Sequence, residues 1–162
     1  MSLFEISLVM NGMPLLTKKF QDQNISNCDS FYRYGIMSVI QAVANQALDD
    51  EIELIEFKRI HMASQSKKLQ NGDMLHAFAI YGNKNMSEQV RITLQKVLDR
   101  FLQKNPVPRR SLSSSQRYLS FLDEIEEIVL GLPEGRFWKK IFSKPFQMSY
   151  PGLSDVDDSL KS

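Results

Sequence analysis

An Asn-Gly pair at positions 11 and 12, flanked on both sides by runs of strand-like residues, constrains this chain more than any other feature. On its N-terminal side Phe4, Ile6, Leu8 and Met10 alternate with Glu5, Ser7 and Val9, the period-2 pattern of a strand with one well buried face. Both central positions of a type I′ turn need positive φ, which Asn and Gly tolerate, so Asn11-Gly12 predicts a tight hairpin over residues 3 to 20. The return strand runs from Met13 to Phe20. Pro14 has no N–H to give a ladder, which places that strand at a sheet edge, or the proline just after the turn.

The patterns that follow select the fold class. Residues 21 to 30 form a polar loop ending in a helix cap at Asp29 or Ser30. Phe31, Tyr34, Met37, Ile40, Val43, Ala44 and Ala47 then recur at helical spacing through Leu48. Small residues among them, Gly35, Ser38, Ala42 and Ala44, let this helix lie close on a sheet. Asp49-Asp50 ends it. Glu51 to Arg59 is a third strand carrying Ile52, Leu54, Ile55 and Phe57, and Ile60 to Leu69 a weaker fourth. After the turn signal Gln70-Asn71-Gly72-Asp73, the run Met74 to Tyr81 is too short for a helix and apolar on both faces, so it predicts a central strand. Asn85 to Glu88 resembles a capping box, opening a helix with Val90, Leu94, Val97, Leu98 and Phe101 on one stripe. A last helix over 115–132 carries Tyr118, Phe121, Leu122, Ile125, Ile128, Val129 and Leu132 at i, i+3, i+4 spacing.

A chain of 162 residues, 43% hydrophobic, buries one core rather than two. The division is a core domain over 1–104, a linker with two prolines over 105–114, the helix 115–132 packed on the core, and an appended segment 133–162 whose polar end reads as disordered. Lys and Arg number 20 against 19 Asp and Glu, so no global field draws the chain to nucleic acid or to anionic lipid. Cys28 is the single cysteine, which predicts a reducing compartment. No apolar stretch approaches the roughly 18 to 20 residues of a membrane span, and no apolar signal region follows Met1.

Catalytic and cofactor signatures are missing. His61 and His76 stand singly in predicted strands, away from any HxxxH, HxxE or CxxC spacing, so the sequence predicts no metal site. The seven glycines are scattered and build no phosphate loop, so it predicts no nucleotide cofactor. The segment with most character is the C-terminal one. Arg136, Lys139, Lys140 and Lys144 surround Phe137, Trp138, Ile141, Phe142 and Phe146, a mixture suited to a partner groove, to docking back on the domain, or to a membrane interface. Arg136 to Phe142 are therefore the candidate docking or membrane-contact residues.

The order β-β-α-β-β-β-α plus a third helix resembles the longin domain, a profilin-like fold related to the roadblock domain. The resemblance rests on Leu3 to Met10, Asn11-Gly12 and Leu15 to Phe20 as the opening hairpin. Phe31, Gly35, Ile36, Val39, Ala42 and Val43 correspond to the helix that crosses the sheet, and Leu75 to Ile80 to the central strand. The chain is also similar to single-domain longin-like proteins of archaea related to eukaryotes. What the resemblance implies is an α+β sandwich with a five-stranded antiparallel sheet in order 2-1-5-4-3 and helices on both faces. It further implies a non-enzymatic interaction module of vesicle trafficking or small-GTPase regulation, cytoplasmic or peripheral to membranes. Its partner would be a protein such as a small GTPase or a trafficking-complex subunit. The implied docking groove lies between the first helix and the third strand, with Phe31, Tyr34, Ile55 and Phe57 as its candidate residues. Two alternatives stand beside this reading: a homodimeric scaffold, and a small enzyme with an unrecognised site.

Overall fold

The computed structural model describes residues 3–20, 30–109 and 117–131, with the side chains of residues 30–32 and 131 outside that description. The elements are β1 (Leu3–Met10), β2 (Met13–Lys19), α1 (Ser30–Leu48), β3 (Leu54–Glu56), β4 (His61–Lys68), β5 (Met74–Tyr81), α2 (Ser87–Lys104) and α3 (Phe121–Gly131). The strands form one open antiparallel sheet in the order β2-β1-β5-β4-β3. This is the sheet order that the resemblance implies.

The hairpin closes as its turn residues require, with φ of 49° at Asn11 and 81° at Gly12. β2 is an edge strand, and Pro14 sits where the β1–β2 register shifts, Leu8 facing Leu16 while Val9 faces Pro14. A proline is tolerated there because the ladder is already interrupted. β5 lies at the centre, buried from Leu75 to Tyr81. Its two-sided apolarity separates the two layers. Leu75, Ala77, Ala79 and Tyr81 face α2 and α3, while Phe78 and Ile80 face α1.

β1 departs from the expected one-sided pattern, since all eight of its residues are buried. A second register shift pairs Leu3 with Tyr81 and Glu5 with Ile80, leaving Phe4 as the extra residue. That bulge turns Phe4 to the α1 side and brings Leu3 to the side of Ile6, Leu8 and Met10. Phe4 therefore does not share a face with Ile6.

Three further differences concern element ends. β3 is limited to three residues, and a main-chain bond from Phe57 N–H to the Ile60 carbonyl closes the turn to β4. In place of a capping box, Asn83 caps a short 3₁₀ turn, Lys84–Met86, by accepting the Asn85 N–H at 3.0 Å, and Met86 at the start of α2 makes no side-chain cap. Regular helix in α3 begins at Phe121, after a turn in which the Phe121 N–H donates to the Tyr118 carbonyl. Residues 110–116 and 132–162 lie outside the described residues, as does Cys28.

α2 and α3 cover one face with Val90, Leu94, Val97, Leu98, Phe101, Tyr118, Phe121, Ile125 and Val129. Phe101 meets Tyr118 and Phe121 edge-on, at 5.2 and 5.1 Å between ring centroids, a favoured aromatic geometry. Among the described residues, no helix is long and apolar enough to cross a membrane.

Candidate functional site

α1 is apolar on two sides, and only one of them meets the sheet. Tyr34, Met37, Gln41 and Ala44 are buried against it. Ile36, Val39, Ile40 and Val43 are 61%, 63%, 41% and 57% exposed. Their spacing of i, i+3, i+4, i+7 gathers them into one stripe on the helix. Leu48, in the last turn, is 74% exposed. No charged residue occurs between Tyr34 and Leu48. A surface helix ordinarily presents charges outward, so an outward apolar stripe marks a surface that another molecule or segment covers.

The neighbouring strand adds to this side. Ile55 pairs with Met62, which belongs to the α1-side cluster, and Ile55 and Ile60 pack against that cluster. Phe57, 49% exposed, continues the Ile55 side of the strand by alternation. Leu54 is exposed too, but it pairs with Ala63 on the α2 side and is not part of this surface.

Acidic residues follow α1. Asp49, Asp50, Glu51, Glu53 and Glu56 are all exposed, with Lys58 and Arg59 beyond them; Glu53 and Glu56 act on Arg91 and Lys84, on the α2 side. Asp49 ends α1 at φ 52°, a left-handed position that Asp tolerates. Glu56 is 2.8 Å from Lys84 Nζ, and this ammonium holds the Glu56 carboxyl below the usual range. Glu51 accepts from Ser66 Oγ at 2.7 Å.

Polar contacts join a small apolar cluster in holding the underside of α1. The Tyr34 hydroxyl donates to the buried Glu5 carboxylate and accepts from Ser7 Oγ at 2.8 Å. Ser7 also meets Thr17 at 2.9 Å, and Arg33 Nη1 donates to Glu5 at 3.1 Å. Burial, reinforced by the Glu5 charge beside it, pushes the Tyr34 phenol far above its ordinary range, so it stays a hydrogen-bond donor. Further along, Gln41 accepts the Ile52 N–H at 3.3 Å. His76, 6% exposed, stacks on Phe78 at 5.7 Å, and its Nδ1 has no hydrogen-bond partner. Desolvation lowers its pKa, with the Glu51 charge opposing.

The four groove residues expected from the sequence are therefore divided. Tyr34 is fully buried, stacked on Phe78 at 5.5 Å, with its hydroxyl directed at β1 and β2 instead of toward β3. It anchors the helix and cannot line an open groove. Ile55 packs against the α1-side cluster, Phe57 is half-exposed just beyond β3, and the Phe31 side chain is outside the described residues. Arg136, Phe137, Trp138, Lys139, Lys140, Ile141 and Phe142 also lie outside them. The exposed stripe Ile36, Val39, Ile40 and Val43 is not among the groove residues expected from the sequence. Its signal is present in the sequence, because α1 holds two interleaved apolar sets and no charge after Arg33 to oppose either.

Among the described residues, neither histidine lies in a cluster of metal-ligating side chains. His61 tilts against Tyr81 at 5.5 Å and pairs with Glu56 across the strands. Among the described residues, no group of three or more His, Cys, Asp or Glu is placed to hold a metal ion. In comparisons with known proteins, the sequence matches no family model and no curated protein.

Proposed function

We propose that this chain is a non-enzymatic protein–protein interaction module of longin type, acting in the cytoplasm in vesicle trafficking or small-GTPase regulation. The observation that carries the interaction reading is the exposed stripe Ile36, Val39, Ile40 and Val43 on a helix that carries no charge after Arg33. Trafficking and GTPase regulation follow from the resemblance to longin domains and rest on that analogy. The stripe, with Ile55 and Phe57 beside it, is the docking surface.

Its first occupant is the chain's own segment Arg136 to Phe146. Three carboxylates, Asp49, Asp50 and Glu51, border the surface, and Arg136, Lys139, Lys140 and Lys144 supply the opposite charge around Phe137, Trp138, Ile141 and Phe142. A partner protein then competes with that segment. Deleting residues 133–162 is expected to raise binding of an apolar dye and hydrogen exchange over residues 31–59. Unchanged dye binding, oligomeric state and exchange would sink the self-docking reading.

Homodimerisation is the second reading, favoured by the absence of charge along the stripe, which lets two copies of α1 meet without repulsion. Light scattering separates it from the first. A dimer persisting after the deletion supports the scaffold.

A further inference from the structure

A second surface, on the far side of the sheet from α1, has the opposite character. Where α2 ends and the chain turns toward α3, a cavity of about 470 Å³ opens beside Lys104, Val107, Arg109, Arg117 and Tyr118. That volume falls in the range of small-ligand sites, roughly 300 to 1,000 Å³.

One wall of the cavity is fixed in place. Tyr118 is 2% exposed and lies edge-on to Phe101. Its hydroxyl accepts the Arg109 N–H at 3.0 Å and donates to the Arg109 carbonyl at 3.1 Å, so a single side chain holds both main-chain groups of one residue. Asn105 adds a main-chain bond to the Phe101 carbonyl at 2.8 Å. The segment from Asn105 to Arg109 is thereby held on the aromatic cluster rather than left as a free connection.

The charges at the cavity are unequal. Lys104 pairs with Glu124, and Arg100 Nη1 approaches the same carboxylate at 4.0 Å. Among the described residues, no carboxylate pairs with the guanidinium of Arg109 or of Arg117. Once Lys104 and Glu124 are taken as neutral together, the described residues that line the cavity keep two guanidinium charges. A phosphate monoester carries about −1.5 to −2 at neutral pH, and guanidinium groups bind phosphate oxygens in pairs. A carboxylate would answer only one of the two charges. Beside them, Val107 is 64% exposed and offers an apolar surface for the organic part of a ligand.

We propose that the α2–α3 junction binds a phosphomonoester, its phosphate between Arg109 and Arg117 with Lys104 at the border, and its organic group against Val107. The phosphate belongs to a soluble ester or to a lipid headgroup, and the test distinguishes these sources. The full chain is titrated calorimetrically with phenyl phosphate and with benzoate, and sedimented with phosphatidylcholine vesicles with and without phosphatidylinositol 4-phosphate. Phenyl phosphate is expected to bind more tightly than benzoate, and Arg117→Ala or Arg109→Ala to weaken it about tenfold. Lys58→Ala, a change to an exposed cation in the β3–β4 turn, is expected to leave binding unchanged. Sedimentation that requires the phosphoinositide and is lost in Arg109→Ala/Arg117→Ala assigns the phosphate to a lipid; calorimetric binding without sedimentation assigns it to a soluble ester. Equal affinity for benzoate, equal binding by the arginine variants, or binding of neither probe overturns the proposal.

Discussion

The two faces of the sheet are built by different means. Among the described residues, 23 buried residues form one apolar cluster on the α2–α3 face, whereas on the α1 face the cluster has seven. The buried polar residues Glu5, Ser7, Gln41, Ser64 and His76 fall around the smaller cluster, and α1 turns a whole apolar stripe to the outside. Burial of apolar area supplies most of a small domain's stability, so the α2–α3 face is the one that holds the fold. The α1 face, anchored by directional hydrogen bonds, leaves its apolar residues available. Stability and recognition are thus assigned to opposite sides of five strands.

Core substitutions on the first face should produce the largest effects. Leu94→Ala or Phe101→Ala removes a fully buried side chain and is expected to cost about 3 to 5 kcal/mol in chemical denaturation. A loss below about 1 kcal/mol would break the contrast between the faces. Next comes the anchor beneath α1. Tyr34→Phe removes the hydroxyl that donates to buried Glu5, and the expected cost is about 1 to 3 kcal/mol. The loss should appear as faster hydrogen exchange in α1 while α2 exchanges as before.

A third effect depends on pH. His76 has a folded-state pKa below the ordinary 6.5 because burial disfavours its charged form. Between the folded and unfolded pKa values the unfolded chain binds more protons, so stability rises with pH and is lost as pH falls below about 6.5. His76→Gln should flatten the stability profile in that window. An unchanged slope would mean that other groups set it. The smallest effect is expected on the stripe, where Val39→Lys or Val43→Lys should change stability by no more than about 0.5 kcal/mol. A cost of 2 kcal/mol or more would show that the stripe belongs to the core.

Much of this division can be read in the sequence, for physical reasons that also explain the failures. Asn11-Gly12 and the doubly apolar run Met74–Tyr81 impose local requirements that few other arrangements meet, and they locate the hairpin and the central strand. The bulge at Phe4 is invisible, because an aromatic side chain suits either face of a strand that is covered on both. β3 is shorter than its apolar pattern because an edge strand pairs on one side only, and Glu51 and Glu53 turn to solvent instead. The resemblance places Tyr34 in the groove lining, and helical periodicity gives a direction but not a partner. Only the buried Glu5, itself unexpected in a strand core, draws its hydroxyl toward β1.

Photo-crosslinking from α1 tests the central claim most directly. With a benzophenone amino acid at position 39 of the full chain, and at exposed position 103 of α2 as the control, the account predicts a protein adduct from position 39. The adduct would join the 136–146 segment, another copy or a partner, and position 103 would give none. Absence of any adduct at 39 in the native extract, or equal labelling from 103, would contradict the assignment of α1 as the recognition face.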